Sequence, residues 1–177
     1  MGCGKTTVGM LLARQLAWRF EDLDQRIEHR AQIGIPAIFE RLGEPAFRRL
    51  EADELTAVLG RSAESREPLV LALGGGTYAQ PGMVELLRNS GAVVVWLDCP
   101  VERLLSRCAL LTNRPLFRDE AGFRDLLAAR LPFYRLADHR VEGDDEPARV
   151  VERILALPPF ARLNRLAQPS SAGGVTP

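Results

Sequence analysis

Apolar positions along this chain fall either at helical spacing or in short continuous runs, and the two patterns alternate. After the opening letters MGCGKTT, apolar residues recur three and four positions apart up to about Ala17, which predicts a helix. WRFEDLD, LVLALGGG, GAVVVWLD and HRVEG are short stretches that predict strands. Continuous apolar strands are typical of parallel sheets buried on both faces. The alternation predicts an α/β fold of right-handed strand, helix and strand units.

Further helical segments connect and follow these strands, and a polar tail comes after them. The predicted helices cover residues 24–30, 36–41, 45–60, 81–89, 101–107, 122–137 and 146–157. From residue 158 onward the chain is rich in Pro, Ser and Gly and ends SSAGGVTP. Segments of that composition bury too little apolar surface to fold. We expect one globular domain over 1–157 and a disordered tail over 158–177.

Charge and cysteine content exclude several classes of protein. The 177 residues include 23 Lys and Arg and 23 Asp and Glu, so no net field attracts nucleic acid or an anionic membrane. No apolar run approaches the roughly 18 residues of a membrane span, and no leader pattern is present. Cys3, Cys99 and Cys108 have no metal-ligand spacing and are odd in number. We expect a cytoplasmic monomer without a disulfide framework or zinc.

The opening stretch GCGKTT has the end of a phosphate-binding pattern, Gly, four residues, Gly, Lys and Ser or Thr. Gly2 and Gly4 allow backbone N–H groups to turn toward phosphate oxygens at the positive end of the following helix. Lys5 supplies a charge for the phosphates, and Thr6 offers a hydroxyl to Mg²⁺. The alternative is a plain glycine turn before a helix. The sequence favours a nucleotide site at Gly2, Cys3, Gly4, Lys5, Thr6 and Thr7.

Two acidic residues and a run of glycines follow predicted strands. Asp22 and Asp24 lie two positions apart at a strand end, where one could hold Mg²⁺ through water and the other accept a proton. A helix-capping role for Asp24 is the alternative. Gly74–Gly76 follow a buried strand, at the edge of an α/β sheet where ligands bind.

One charged pair falls on a single helical face. Arg48 and Glu51 lie three residues apart in FRRLE, which places both side chains on the same side of the predicted helix. A solvated salt bridge is the ordinary interpretation of such a pair.

The motifs FEDLD, IFERLGEPAFRRLE, ALGGG, RPLF and RLPFYRLA, in this order behind GCGKTT, resemble the shikimate kinase family from residue 1 to about residue 156. The resemblance implies a three-layer α/β/α P-loop NTPase fold with a parallel sheet like that of nucleoside-monophosphate kinases. It also implies ATP-dependent phosphorylation of the 3-hydroxyl of shikimate, with Mg²⁺, in aromatic amino-acid biosynthesis. The substrate-binding region would cover about residues 24–60 and a lid about residues 107–120.

On the nucleotide side, the resemblance assigns five residues beyond the glycines. Lys5 and Thr6 would serve the phosphates and Mg²⁺, and Asp22 would hold the metal through water. Arg107 would lie against the adenine. Arg114, in the lid, would bind the transferring phosphate.

On the substrate side, the resemblance makes Asp24 the residue that binds the shikimate hydroxyls and acts as the base. Arg48 and Arg130 would bind the shikimate carboxylate, and Gly75 and Gly76 would offer backbone to the substrate. The catalytic set is then Asp24, Lys5 and Arg114. The residues expected to brace or line this pocket are Glu51, Phe39 and Phe47.

The first Gly of the phosphate-binding pattern would fall two positions upstream of Met1. In the resembling family a central strand precedes that Gly, so the sequence lacks this strand. About five buried apolar side chains at roughly 1.5–3 kcal/mol each would be missing, against a total stability of about 5–15 kcal/mol. We expect this chain to be strongly destabilised or to need a substitute strand. A start codon assigned too far downstream is our hypothesis.

Two other functions fit parts of the pattern. A gluconate-type kinase of the same fold would share the phosphate loop but lack an arginine pair built in this way. A non-catalytic nucleotide-binding relic would keep the downstream motifs after loss of the first strand.

Overall fold

The computed structural model describes residues 2–109 and 119–167 and has the predicted alternation of helices and strands. The strands are Arg19–Asp22 (β1), Leu69–Ala72 (β2), Val95–Asp98 (β3) and His139–Glu142 (β4). The helices are Lys5–Leu16 (α1), Leu23–Ala31 (α2), Ile35–Ser65 (α3), Met83–Asn89 (α4), Val101–Ala109 (α5), Glu120–Tyr134 (α6), Pro147–Leu155 (α7) and Pro158–Ala167 (α8). None of the helices formed by the described residues is long and apolar enough to cross a bilayer.

The strands form two separate parallel pairs. In the first pair β1 lies beside β2, with Asp22 opposite Ala72. In the second pair β3 lies beside β4, with Asp98 opposite Glu142. Because partners run in the same direction, the residues that follow β1 and β2 emerge at one edge of their sheet.

Residues of β2 and β3 line one cavity of about 1430 Å³. Its lining includes Val70 and Leu71 of β2, Val95 and Leu97 of β3, and Leu12 of α1. Among the described residues, no further strand pairs with β2 or β3. An apolar space therefore separates β2 of the first pair from β3 of the second.

Helix α1 is held in place by apolar contacts with α7. Val8 and Leu12 of α1 belong to the same buried cluster as Val150, Val151 and Ile154 of α7. This packing fixes the start of α1 and the loop that precedes it.

Helix α3 contains two helical stretches, as predicted, joined at a kink. Gly43 lies at the kink with φ 76° and ψ 169°, two residues before Pro45. A side chain would be strained at that positive φ. Beyond the kink, Phe47 and Leu55 pack with Ile27 of α2 in a buried cluster.

The prediction of disorder from residue 158 is wrong for the first part of the tail. Pro158–Ala167 form α8, and Phe160 is buried in the same cluster as α1 and α7. Its ring lies 6.5 Å from that of Trp18. Phe160 is one aromatic residue in a segment that is rich overall in Pro, Ser and Gly, so the composition of the segment did not indicate a helix here. Residues 168–177 lie outside the described part of the chain.

The apolar space between β2 and β3 predicts that an added strand stabilises the fold. Cys3 also lines this cavity, so an extended five-residue β-branched segment fused ahead of residue 1 would enter it directly. We expect the free energy of unfolding in urea to rise by about 1.5–3 kcal/mol for each apolar side chain buried. The matched control carries Pro at the central position of the segment, where it removes a ladder hydrogen bond. Equal stability of the two fusions would contradict the prediction.

Candidate active site

The phosphate loop, residues Gly2–Thr7, leads directly into α1. Gly2 and Gly4 have φ of 70° and 81°, a left-handed conformation that glycine adopts without strain. Gly4 precedes the first helical residue, and its carbonyl accepts a hydrogen bond from Val8 N at 2.9 Å. Lys5 begins α1 and is half-buried. The loop thus leads into a helix N-terminus, whose first N–H groups have no intrahelical acceptor, with a lysine as the first helical residue, a combination suited to phosphate.

Thr6 and Asp22 are in direct contact. The Thr6 hydroxyl donates to Asp22 Oδ2 at 2.7 Å. The other oxygen of Asp22 accepts from Asp24 N at 3.0 Å, so Asp22 caps α2. The sequence alternative that Asp24 caps this helix is therefore wrong: the cap lies one residue before the helix, at Asp22.

The Thr6 hydroxyl and the Asp22 carboxylate are hard oxygen ligands of the kind that Mg²⁺ prefers. Within the described ranges, no group of three or more His, Cys, Asp or Glu side chains could hold a metal ion. Magnesium characteristically keeps several water ligands and substrate phosphate oxygens beside one or two protein groups. The donor set present here fits such an ion.

Arg107 lies beside the phosphate loop. Its guanidinium donates to Gly2 O at 3.2 Å and to Asp144 Oδ1 at 3.5 Å. A cavity of about 170 Å³ lies at this point, and its lining includes Gly2, Thr7, Arg107, Asp145 and Pro147. The structure therefore brings Arg107 together with the predicted nucleotide loop.

Arg48 and Arg130 form an arginine pair over the glycines that follow β2. A Cβ built on Gly76 would lie 2.5 Å from Arg48 Nη1 and 3.0 Å from Arg130 Nη2. Only glycine leaves room for both guanidinium groups at this position. Arg48 and Arg130, which lie 82 residues apart in sequence, thus come together at the backbone of Gly76.

Asp24 lies at the same turn. A Cβ built on Gly74 would lie 3.1 Å from Asp24 Oδ1, 3.2 Å from Glu51 Oε1 and 2.9 Å from Thr77 Oγ1. The glycine turn, residues Gly74–Thr77, is closed by a hydrogen bond from Thr77 N to Gly74 O at 3.1 Å. A carboxylate therefore lies at one end of the turn and the arginine pair at the other.

Glu51 is the buried centre of this region, at 1% exposure. It accepts hydrogen bonds from Arg48 Nη1 at 2.5 Å, Thr77 Oγ1 at 2.5 Å and Gln80 Nε2 at 2.9 Å. The interpretation of Arg48 and Glu51 as a solvated pair is thus wrong. Burial lowers the pKa of Arg48, but bonds and charge from Glu44 and Glu51 outweigh burial and leave it above its ordinary value. Arg48 is a permanent cation here.

Tyr134 is a site residue that the sequence interpretation missed. Its hydroxyl donates to Gly75 O at 2.9 Å. Burial raises the pKa of Tyr134, with the charge of Arg130 acting against that rise, so the phenol stays protonated. The sequence could have indicated Tyr134 by its spacing, because in RLPFYRLA it lies four residues after Arg130 and therefore on the same face of α6.

An aromatic wall stands next to Arg48. The rings of Phe39 and Phe47 lie 4.7 Å apart between centroids, and the Arg48 guanidinium carbon lies 5.3 Å from the Phe47 ring. Arg114 falls within residues 110–118, outside the described part of the chain. Its role therefore stays a prediction.

Comparison with known proteins gives one consistent family. A family model described as Shikimate kinase matches residues 1–157. The shikimate kinase of Pseudomonas aeruginosa (strain LESB58) is 41% identical over 168 residues, covering 90% of this chain and 94% of that protein. The shikimate kinase of Pseudomonas putida is 42% identical over 171 residues with the same coverage.

Solved structures agree with the predicted P-loop fold. A shikimate kinase from Acinetobacter baumannii in complex with shikimate has a TM-score of 0.77 and 39% identity, covering 95% of this chain and 91% of that one. A shikimate kinase from Aquifex aeolicus has a TM-score of 0.75 and 34% identity, covering 95% of each chain. A gluconokinase from Sinorhizobium meliloti, at 21% identity and a TM-score of 0.56, shares the fold alone.

The contact between Tyr134 and Gly75 predicts a graded loss of stability. Tyr134→Phe removes one hydrogen bond, and we expect it to lower the free energy of unfolding by about 0.5–1.5 kcal/mol. Gly75→Ala places a Cβ 2.6 Å from the Tyr134 hydroxyl, and we expect a loss of about 1–3 kcal/mol from overpacking. Gly60→Ala is the control, because a Cβ there meets nothing within 4 Å on α3. An equal free energy of unfolding in urea for Gly75→Ala and Gly60→Ala would contradict a close contact between Tyr134 and Gly75.

Proposed function

This chain belongs to the shikimate kinase family, and we propose that the glycine turn, the arginine pair and the phosphate loop carry out its reaction. That reaction is ATP-dependent phosphorylation of the 3-hydroxyl of shikimate. The observation that supports the residue roles best is the convergence of Arg48 and Arg130 over Gly76, with the Asp24 carboxylate at the adjoining Gly74.

The arginine pair binds the carboxylate of shikimate. Guanidinium groups are planar donors that match a carboxylate with two parallel hydrogen bonds, and they remain charged at every physiological pH. Arg130 is 8% exposed, so its interaction with an anion is screened little by water. Gly75 and Gly76 allow the ring of the substrate to approach the backbone of the turn.

Asp24 binds the hydroxyl end of the substrate and acts as the base. As the 3-hydroxyl oxygen forms its bond to the γ-phosphorus, the hydroxyl proton passes to the Asp24 carboxylate. The bond from phosphorus to the β,γ-bridging oxygen breaks, and ADP leaves. The distance between the base and the arginine pair then selects for a substrate with hydroxyl and carboxylate groups at opposite ends.

The phosphate loop holds ATP. Backbone N–H groups of Gly2–Thr7 surround the β- and γ-phosphates, and Lys5 neutralises the charge that develops on them. Arg107 contacts the adenine beside the loop. Arg114 would bind the transferring phosphate, as the family resemblance implies.

Thr6 and Asp22 would hold Mg²⁺, Thr6 by its hydroxyl and Asp22 through water. Bound magnesium supplies charge neutralisation for the β- and γ-phosphate oxygens. The hydrogen bond between the two side chains places the Thr6 hydroxyl next to the Asp22 carboxylate.

Cys99 has no catalytic role in this proposal. Burial raises the pKa of Cys99 to about 11, so the thiol is protonated at neutral pH. Cys3 and Cys99 are both free. Free thiols suit a protein that works in the reducing cytoplasm.

Substrate and base are tested together by replacing Asp24. We expect shikimate-dependent ATP consumption in a coupled assay, measured on this chain and on its fusion with the added strand, and no turnover with gluconate. Asp24→Asn should lower kcat by about 10²–10⁴, the usual contribution of a positioned base, with ATP affinity retained. Lys5→Met, in contrast, should also weaken ATP binding measured by calorimetry.

Three outcomes of this assay contradict the proposal. Turnover with gluconate alone would favour the gluconate-type alternative. Absence of turnover with either acceptor would favour a non-catalytic relic. Near-normal turnover of Asp24→Asn would remove Asp24 as the base.

The arginine pair predicts a substrate-specific defect. Arg130→Ala should raise the KM for shikimate at least about tenfold, because a charge-assisted bidentate contact is lost, while the KM for ATP stays unchanged. Arg49→Ala is the matched control, since Arg49 adjoins Arg48 but is exposed. A KM for shikimate equal in both variants would exclude Arg130 from the pocket.

A further inference from the structure

Thr77 joins the glycine turn to the arginine pair. Its side chain is fully buried, at 0% exposure. Its backbone N–H donates to Gly74 O at 3.1 Å and closes the turn. Its hydroxyl donates to Glu51 Oε1 at 2.5 Å. One residue is therefore bonded both to the backbone that faces the substrate and to the carboxylate that holds Arg48.

Glu51 is fixed from both of its oxygens. Oε1 accepts from Thr77, and Oε2 accepts from Gln80 Nε2 at 2.9 Å and from Arg48 Nη1 at 2.5 Å. Donors on both oxygens prevent the carboxylate from rotating about its terminal bond. The plane of Glu51 then determines where the Arg48 guanidinium lies.

The other partner of Arg48 provides a weaker restraint. Glu44 accepts from Arg48 Nε at 3.1 Å and Nη2 at 2.8 Å. The Glu44 side chain is 51% exposed, whereas that of Glu51 is 2% exposed. Exposed ion pairs are screened by water and contribute little. Glu51 is thus the rigid anchor of Arg48.

We propose that Thr77 is a positioning residue for the shikimate carboxylate: by fixing Glu51, its hydroxyl holds Arg48 over Gly76 before the substrate arrives. This rests on the proposed function, in which Arg48 and Arg130 bind that carboxylate. A guanidinium that is already in place loses less conformational freedom on binding, so the gain appears as affinity for shikimate. The chemical step itself does not depend on Thr77.

The hydroxyl, rather than the size of the side chain, carries this role. Valine has nearly the same shape as threonine but leaves Glu51 Oε1 buried without its donor. A buried carboxylate oxygen that loses a partner is strongly disfavoured, so Glu51 turns toward its remaining donors and Arg48 moves with it. Serine keeps the hydroxyl and loses only a methyl group.

The test compares Thr77→Val with Thr77→Ser in the full chain. For Thr77→Val we expect the KM for shikimate, and the Kd measured by calorimetry without ATP, to rise about tenfold, the effect of losing a hydrogen bond to a charged group. The kcat and the KM for ATP should stay within about twofold of wild type, and Thr77→Ser should restore shikimate affinity. With the carboxamide analogue of shikimate, which lacks the charge that Arg48 binds, Thr77→Val and wild type should be equal.

Several results would overturn the proposal. An unchanged affinity for shikimate in Thr77→Val would overturn it. An equal loss of affinity in Thr77→Val and Thr77→Ser would also overturn it, because such a loss comes from packing and not from the hydroxyl. If Thr77→Val does not fold, Gln80→Met is tested in its place, because Gln80 also donates to Glu51. We expect Gln80→Met to raise the KM for shikimate by less than Thr77→Val would. An unchanged KM would show that the donors to Glu51 do not position Arg48.

Arg48→Lys separates this inference from the proposed function. If Arg48→Lys leaves the KM for shikimate unchanged, the arginine pair is wrong and the inference falls with it. If Arg48→Lys raises that KM and Thr77→Val does not, the arginine pair stands and Thr77 alone is excluded.

Discussion

A carboxylate at 1% exposure has to be compensated by its surroundings, and Glu51 is compensated by three donors from two segments of the chain. Removing a charge from water costs several kcal/mol, which only well-placed hydrogen bonds and an opposite charge offset. Glu51 therefore ties α3 to the segment after β2. The pocket that results contains an arginine whose direction is set before any ligand is present.

The two halves of the site depend on the sheet in different ways. Asp22 ends β1, the glycine turn follows β2, and these strands are paired in register, Asp22 beside Ala72. The substrate half is thus assembled on one intact pair of strands. The phosphate loop instead depends on α1, which lines the apolar space between β2 and β3 and packs against α7. Loss of order in the sheet would affect the loop before it affects the substrate pocket.

The sequence predicts the parts of this site that local patterns encode, and it misses those that arise from packing. The loop, the strand ends and the helical face of Arg48 and Glu51 each follow from spacing along the chain. The burial of Glu51 does not, because spacing gives no information on what covers a helix face. Thr77 and Tyr134 likewise gain their roles from partners 26 and 59 positions away. The first part of the tail is ordered because Phe160 is buried against α1 and α7. The composition of residues 158–177 as a whole does not indicate the effect of that one residue.

Asp22 connects the halves that the sheet keeps apart. One of its oxygens accepts from Thr6 in the phosphate loop, and the other accepts from the backbone N–H of Asp24. Because Asp24 follows the helix cap by only two residues, a displacement of Asp22 moves the backbone that carries Asp24 as well. The position of the base relative to the phosphates is then governed by a chain of two short hydrogen bonds. Phosphoryl transfer depends on such positioning more than on covalent chemistry, so this carboxylate would matter to the reaction even before it holds a metal ion.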